Sequence, residues 1–182
     1  GEHRTATGER REFALADGGR VWLNTDSAID IDYTRDWRRI RLHRGEILIR
    51  TAGDADPAPR PFVVDTAEGR IRALGTRFSV HQQDGATRVN VFEGRVELRP
   101  RRSEAAPGLV ATGQQGVMTA ADTLPLAPAE AARQAWRRGL LLAENVRLAD
   151  VLADLSRHRP GYLGCTAAVA DLRLVGAYDL AD

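Results

Sequence analysis

The sequence predicts a mainly β protein, an antiparallel two-layer β sandwich or stacked β roll, with a small C-terminal α+β (β-α-β-β) subdomain. Two observations carry this. Apolar residues recur at every second position in Val21/Leu23, Ile29/Ile31/Tyr33, Ile40/Leu42, Phe78/Val80, Val89/Val91 and Val96/Leu98, the period of half-buried strands. Gly- or Asx-containing turns separate these blocks, Asp17-Gly18-Gly19 being the clearest, as antiparallel connections require. After residue 124 the composition turns Ala-rich and the apolar spacing becomes helical.

Taken in order, strands are expected at Glu12–Ala16, Arg20–Asn24, Ala28–Tyr33, Arg39–His43, Glu46–Thr51, Phe62–Thr66, Arg70–Leu74, Arg77–His81, Thr87–Glu93 and Arg95–Arg99. Leu109–Ala111 and Gly116–Thr119 read as closing strands of an all-β domain over residues 1–124. Two loops interrupt the series. Asp54–Pro61 carries three prolines and cannot enter a central ladder, and Pro100–Gly108 is rich in Pro, Arg and Ser, the composition of a surface connection. Residues 125–138 read as a helical linker and 139–182 as the α+β subdomain. There, Asn145 is expected to cap a helix whose stripe is Leu148, Val151, Leu152 and Leu155. Pro160-Gly161 stops that helix, and Leu140–Leu142, Tyr162–Thr166 and Arg173–Tyr178 supply strands around it.

Composition removes several function classes. Every basic residue is Arg, yet the net charge is only +1. Arg39/Arg41 and Arg70/Arg72 alternate with apolar residues, which makes them the wet face of strands rather than a nucleic-acid surface. No apolar run approaches the roughly 20 residues of a membrane-spanning helix. Cys165 is alone, so no intrachain disulfide forms, and it reads as a small buried hydrophobe. His3, His43, His81 and His158 lack metal-ligand spacing, and no phosphate-binding glycine loop precedes a helix. No cofactor is expected. Asp26, Asp30, Asp32 and Asp36 form an acidic cluster, and Trp22 and Trp37 could stack on sugars. Together they motivate an alternative reading, a carbohydrate-binding or hydrolytic β-sandwich. Against it, Asp30 and Asp32 alternate with Ile29 and Ile31 as an outward strand face would, and Trp22 could cover the opposite sheet face.

The C-terminal unit is short for independent stability, because a one-helix subdomain buries little surface. Three outcomes stay open: it docks on the β domain, it needs a partner, or the chain is cut. Its last strand is the expected contact surface, with Leu172, Arg173, Leu174, Val175, Ala177 and Tyr178 placed to accept another strand at a sheet edge, aided by the helix Leu148–His158.

Six ordered motifs resemble FecR-type proteins: Thr7-Gly8-Glu9-Arg10-Arg11, Asp17-Gly18-Gly19-Arg20-Val21-Trp22-Leu23-Asn24, Leu42-His43-Arg44-Gly45-Glu46, Arg60-Pro61-Phe62-Val63-Val64, Leu74-Gly75-Thr76-Arg77-Phe78-Ser79-Val80 and Val91-Phe92-Glu93-Gly94-Arg95-Val96. Trp136-Arg137-Arg138-Gly139 followed by Leu148-Ala149-Asp150-Val151-Leu152 resembles the junction into their C-terminal part, which is similar to the secretin/TonB short N-terminal module. The resemblance implies the periplasmic region of a single-pass inner-membrane anti-sigma regulator. Its partners would be the signalling domain of a TonB-dependent siderophore receptor and, through a preceding cytoplasmic domain and membrane span, an extracytoplasmic-function (ECF) sigma factor. It further implies that the family continues past Asp182 with another helix and strand. A third possibility, a structural secretin-associated protein, follows from the C-terminal unit alone.

The resemblance also points to Gly75-Thr76, a bond at which members of the family separate into two associated pieces. Gly permits a strained backbone, and the Thr hydroxyl can attack the preceding carbonyl in an N-to-O acyl shift. His81 is the nearest base in sequence. The alternative is a bulge or tight connection between strands. Beyond this single-turnover step no enzyme activity is expected.

Overall fold

A computed structural model describes residues 1–181. The N-terminal body is one large sheet curled into two packed layers. Its pivot is the strand β5, Arg38–Arg50, to which the two layers are joined by different halves. β1 (Glu2–Arg4), β2 (Arg11–Ala14), β3 (Arg20–Leu23) and β4 (Ala28–Tyr33) precede it. β4 pairs with the first half of β5, Tyr33 opposite Arg38, whereas β3 pairs with the second half, Arg20 opposite Arg50. β6 (Phe62–Asp65) runs parallel to the first half, Arg38 opposite Phe62. β7 (Gly69–Ala73), β8 (Arg77–Gln83), β9 (Ala86–Glu93), β10 (Arg95–Pro100), β11 (Gly108–Ala111), β12 (Gln114–Met118) and β13 (Ala127–Pro128) complete it. One layer reads β1-β4-β5-β6-β7-β10-β11, the other β2-β3-β5-β8-β9-β12-β13.

The period-2 residues do what the sequence predicts. Val21, Leu23, Ile29, Ile40, Leu42, Ile47, Ile49, Phe78, Val80, Val89, Val91, Val96 and Leu98 form one core between the layers. Each such side chain, buried to within 2%, contributes about 1.5–3 kcal/mol relative to exposure.

Two body features differ from the sequence reading. The expected strands Arg39–His43 and Glu46–Thr51 are one strand, because Gly45 bends the chain without reversing it. Gly45 sits at φ +87°, and an added Cβ would lie 2.1 Å from Ser27 Oγ, so no other residue fits this bend. Ser27 Oγ accepts the Glu46 N–H at 3.0 Å and ties the bend to the turn before β4. The sheet is also not purely antiparallel, since β6 lies parallel to β5. The proline-bearing loop 51–61 makes that crossover, which parallel neighbours require. Asp54 holds it by accepting from Arg60 Nε and Nη2, both at 2.9 Å.

The C-terminal segment contains α1 (Ala132–Ala135), a 3-10 turn at Trp136–Arg138, β14 (Leu140–Arg147), α2 (Leu148–Ser156) and β15 (Arg173–Asp179). It is β-α-β rather than β-α-β-β, because Tyr162–Thr166 carries no regular structure. Helix begins at Ala132, since Ala127–Pro128 instead pair with β12. Asn145 does not cap α2. It stands at φ 60° in a bulge of the β14–β15 ladder, and Arg147 occupies the cap position without a side-chain bond. The carbonyls of Leu172 and Ala170 accept the first helical N–H groups, from Leu148 at 2.7 Å and Ala149 at 3.2 Å, satisfying donors that a helix start leaves free. Cys165 is half-exposed in the following loop, not buried.

Candidate functional site

The site is built where the C-terminal segment meets the body. The second half of β5 reads Ile47-Leu48-Ile49, all fully buried. Ile47 and Ile49 enter the core, so Leu48 must point to the opposite face. There, Leu48 joins Trp136, Leu141, Ala143, Val151 and Leu180, with Trp22, Phe92, Val146, Leu155 and Leu174 packed around them. Trp22 stands opposite Leu48 across the β3–β5 ladder. This apolar seam seats β14, α2 and β15 on the outer face of the sheet. Of the three outcomes left open for the subdomain, docking is the one observed.

A charged network crosses the same seam. Glu46, fully buried on β5, accepts from Asn24 Nδ2 at 2.9 Å and Arg157 Nη1 at 3.0 Å through Oε1, and from Arg133 Nη1 at 3.4 Å through Oε2. Arg133 also donates twice to Asp154 on α2. Arg157 O accepts from Thr25 Oγ1 at 2.8 Å, and Thr25 Oγ1 in turn accepts the Gly8 N–H at 2.8 Å. Burial alone would raise the Glu46 carboxyl. Arg133 and Arg157 outweigh it and hold the group at about 2. His81, opposite Glu46 in the β5–β8 ladder, is pushed down to about 4 by burial, with Arg157 and Arg133 adding to the effect. A cleft of about 710 Å³ opens beside this network, lined by Arg88, Glu130, Arg133, Glu144 and Arg147 among others.

β15 is the open side of the seated unit. It pairs antiparallel with β14, Tyr178 opposite Leu141 and Leu174 opposite Val146, and with no other strand among the described residues. Its alternation splits the predicted contact residues. Leu174 turns into the seam and Tyr178 shares its face, with its ring beside Gly176, whereas Arg173, Val175 and Ala177 face outward. Leu172 is 57%, Val175 78% and Tyr178 39% exposed. Tyr162, in the loop before them, is 92% exposed. Large apolar side chains thus stand in water along this margin, whose strand edge is unpaired among the described residues.

Gly75 and Thr76 lie in the connection between β7 and β8. Gly75 is at φ +70°, and Gly94 is pressed so close that an added Cβ would stand 2.1 Å from the Gly75 carbonyl oxygen. Thr76 is 5% exposed and its Oγ1 has no hydrogen-bond partner. His81 lies five residues along β8, roughly 16 Å away at strand rise, and belongs to the Glu46 network. It does not serve Thr76.

The remaining candidates disperse. Asp30 Oδ2 accepts from His43 Nε2 at 2.8 Å, Asp32 pairs with Arg41 at 3.6 Å and Asp26 with Arg44 at 2.8 Å, all on the wet face. Trp37 lies under the Arg70 guanidinium at 4.8 Å, while Trp22 is taken up by the seam and by Arg137 at 5.4 Å. His3 stacks on Phe13 at 4.4 Å. Among the described residues no group of three or more His, Cys, Asp or Glu side chains is placed to hold a metal ion.

The sequence analysis names the residues of β15 and Gly75-Thr76 as candidates but not Glu46, Arg133 and Arg157, which the fold brings together. One signal was present. The unbroken apolar run Ile47-Leu48-Ile49 marks a strand covered on both faces, so something had to lie over Leu48.

The protein is thus a β body that seats a mixed subdomain across a buried ionic seam and, among the described residues, leaves one edge of β15 unpaired. The chain belongs to the FecR protein family, whose model matches residues 1–97 and so contains all six motifs. It is a FecR-type regulator. The chain is similar to two crystal structures, each described as a candidate anti-sigma factor from Parabacteroides distasonis ATCC 8503. Both are 24% identical, with TM-scores of 0.75 and 0.73; the likeness covers 99% of this chain and 85% and 84% of theirs. At that identity the likeness is one of fold. No curated protein matches the chain.

Proposed function

We propose that this chain is the signal-receiving region of an anti-sigma regulator. The free margin of β15 captures the N-terminal signalling domain of a TonB-dependent siderophore receptor in the periplasm. A cytoplasmic domain, reached through a membrane span, then acts on an ECF sigma factor. Family membership supports the regulatory role, and the solved neighbours, themselves candidate anti-sigma factors, agree with it. No helix among the described residues is long and apolar enough to cross a membrane.

The observation that carries the reading is the exposure of Val175 and Tyr178, and of Leu172 just before them, on a strand with one edge unpaired among the described residues. Backbone groups along that edge supply affinity, and the outward side chains supply choice of partner. Replacing Val175 with Pro removes a backbone donor and distorts the edge. Co-purification of signalling domains with the wild-type chain, lost in Val175→Pro while circular dichroism of the body is unchanged, is the expected result. Equal capture by both chains refutes edge pairing.

A second reading applies to Gly75-Thr76. A buried Thr76 hydroxyl without a partner, next to a glycine in the left-handed region, is poised for self-cleavage by an N-to-O acyl shift. Intact mass under denaturing conditions should give two fragments for the wild type and one full-length species for Thr76→Ala. A single full-length mass for the wild type removes this reading.

A further inference from the structure

We infer that Thr51 is the residue that positions Thr76 for this cleavage and returns a proton to its nitrogen when the Gly75–Thr76 bond breaks; the inference rests on the self-cleavage reading. The sequence nominates His81 as the assisting group, but the fold carries His81 into the Glu46 network. The side chain that meets the scissile unit is Thr51, one residue beyond β5. Its Oγ1 accepts the Thr76 N–H at 2.9 Å and donates to the Thr76 carbonyl oxygen at 3.2 Å. The Thr51 N–H also donates to that carbonyl, at 3.0 Å.

These three bonds fix both ends of the Thr76 backbone. They leave its hydroxyl as the one polar atom of the residue that is unpaired, buried and next to the Gly75 carbonyl. A buried hydroxyl without a partner costs free energy in the uncut chain, so the arrangement places the cost on the attacking atom. Gly94 closes the other side, its Cα held against the Gly75 peptide.

The step balances as follows. Thr76 Oγ1 bonds to the Gly75 carbonyl carbon and gives up its proton to water. As the carbon–nitrogen bond breaks, the Thr76 nitrogen gains a lone pair. The Thr51 hydroxyl, already in contact with that nitrogen, turns and donates its proton, and recovers one from water. A second water then hydrolyses the ester, leaving a Gly75 carboxylate and a free Thr76 amine with its hydroxyl restored. A hydroxyl at Thr51 is required throughout; its methyl group is not.

Two near-isosteric variants separate the chemistry from packing. Thr51→Val keeps the shape and loses the hydroxyl, whereas Thr51→Ser keeps the hydroxyl and loses the methyl. Freshly folded chains are followed by intact mass with time, and their melting temperatures are recorded alongside. The expected result is that Thr51→Val cuts at least about 100-fold more slowly than the wild type, the scale of a lost proton donor, while Thr51→Ser stays within about fivefold of the wild type. Should Thr51→Val cut at the wild-type rate, or Thr51→Ser fail as badly as Thr51→Val, the Thr51 role is overturned while the self-cleavage reading survives through Thr76→Ala. A wild-type chain that never cuts overturns both. If Thr51→Val melts lower, Thr51→Ser still decides, since a packing role requires it to fail too.

Discussion

Changing Glu46 to Gln keeps the side-chain volume and removes one charge from the centre of the seam. Its carboxylate faces two guanidiniums, Arg157 at 3.0 Å and Arg133 at 3.4 Å. After the change Asp154 serves both, at 3.6 Å from Arg157 and bonded to Arg133, with the half-exposed Glu130 also 3.7 Å from Arg133. Removing one partner from a buried pair costs about 3–5 kcal/mol. Proton linkage gives an independent value. Lowering the group from 4.5 to about 2 corresponds to roughly 3 kcal/mol of stability. That stability is fully present above pH 4.5 and is lost as pH falls toward 2. At about 3 kcal/mol the melting temperature of a domain this size drops by about 6–12 °C. Thermal unfolding at pH 7 reads this directly. Asp32→Asn, which breaks an exposed pair with Arg41, is the control and should move it by under about 2 °C. If Glu46→Gln melts no lower than the control, the seam is not held by its charges. If Glu46→Gln loses as much stability at pH 2 as the wild type does, the linkage argument fails as well.

His81 titrates from a reference of 6.5 to about 4 in the fold, so the neutral ring is the one that is accommodated; stability should be full above pH 6.5 and decline as pH falls toward 4, and His81→Gln should flatten that part of the melting-temperature profile. Gly45→Ala places a Cβ 2.6 Å from the Ser27 Cα at φ +87°. It is expected to destabilise the body by more than 3 kcal/mol, and soluble yield with urea unfolding measures it.

Much of the fold was legible because a half-buried strand repeats every two residues, and Val21/Leu23, Phe78/Val80 and Val89/Val91 kept that period without interruption. Gly45 misled because a left-handed glycine serves a reversal and a bend equally well, and only the pairing of β5 with partners on both sides distinguishes them. Tyr162–Thr166 has the residue types of a strand, but strands exist by pairing. β15 occupies the edge of β14 that was available to it. The Glu46 network was beyond local reading, since its partners lie 87 and 111 residues along the chain. Gly75-Thr76 could be named from its motif, whereas Thr51 is found only when β5 and β8 are laid side by side.

The docking of the subdomain and the outward face of β15 are two results of one alternation. Successive residues of a strand face opposite ways, so seating Leu174 in the seam obliges Val175 to face out. The ladder to β14 and the seam fix the register of β15 before any partner arrives. A strand already held in register has less conformational freedom to lose on binding. Loosening the seam from the body side should therefore weaken capture without changing any residue of β15. Leu48, buried beneath the unit on the body side, is the position where that follows most directly: Leu48→Ala should cost about 2–5 kcal/mol of stability and reduce affinity at an untouched margin. Undiminished affinity in a measurably loosened Leu48→Ala chain would mean that β15 receives its partner without the body's support.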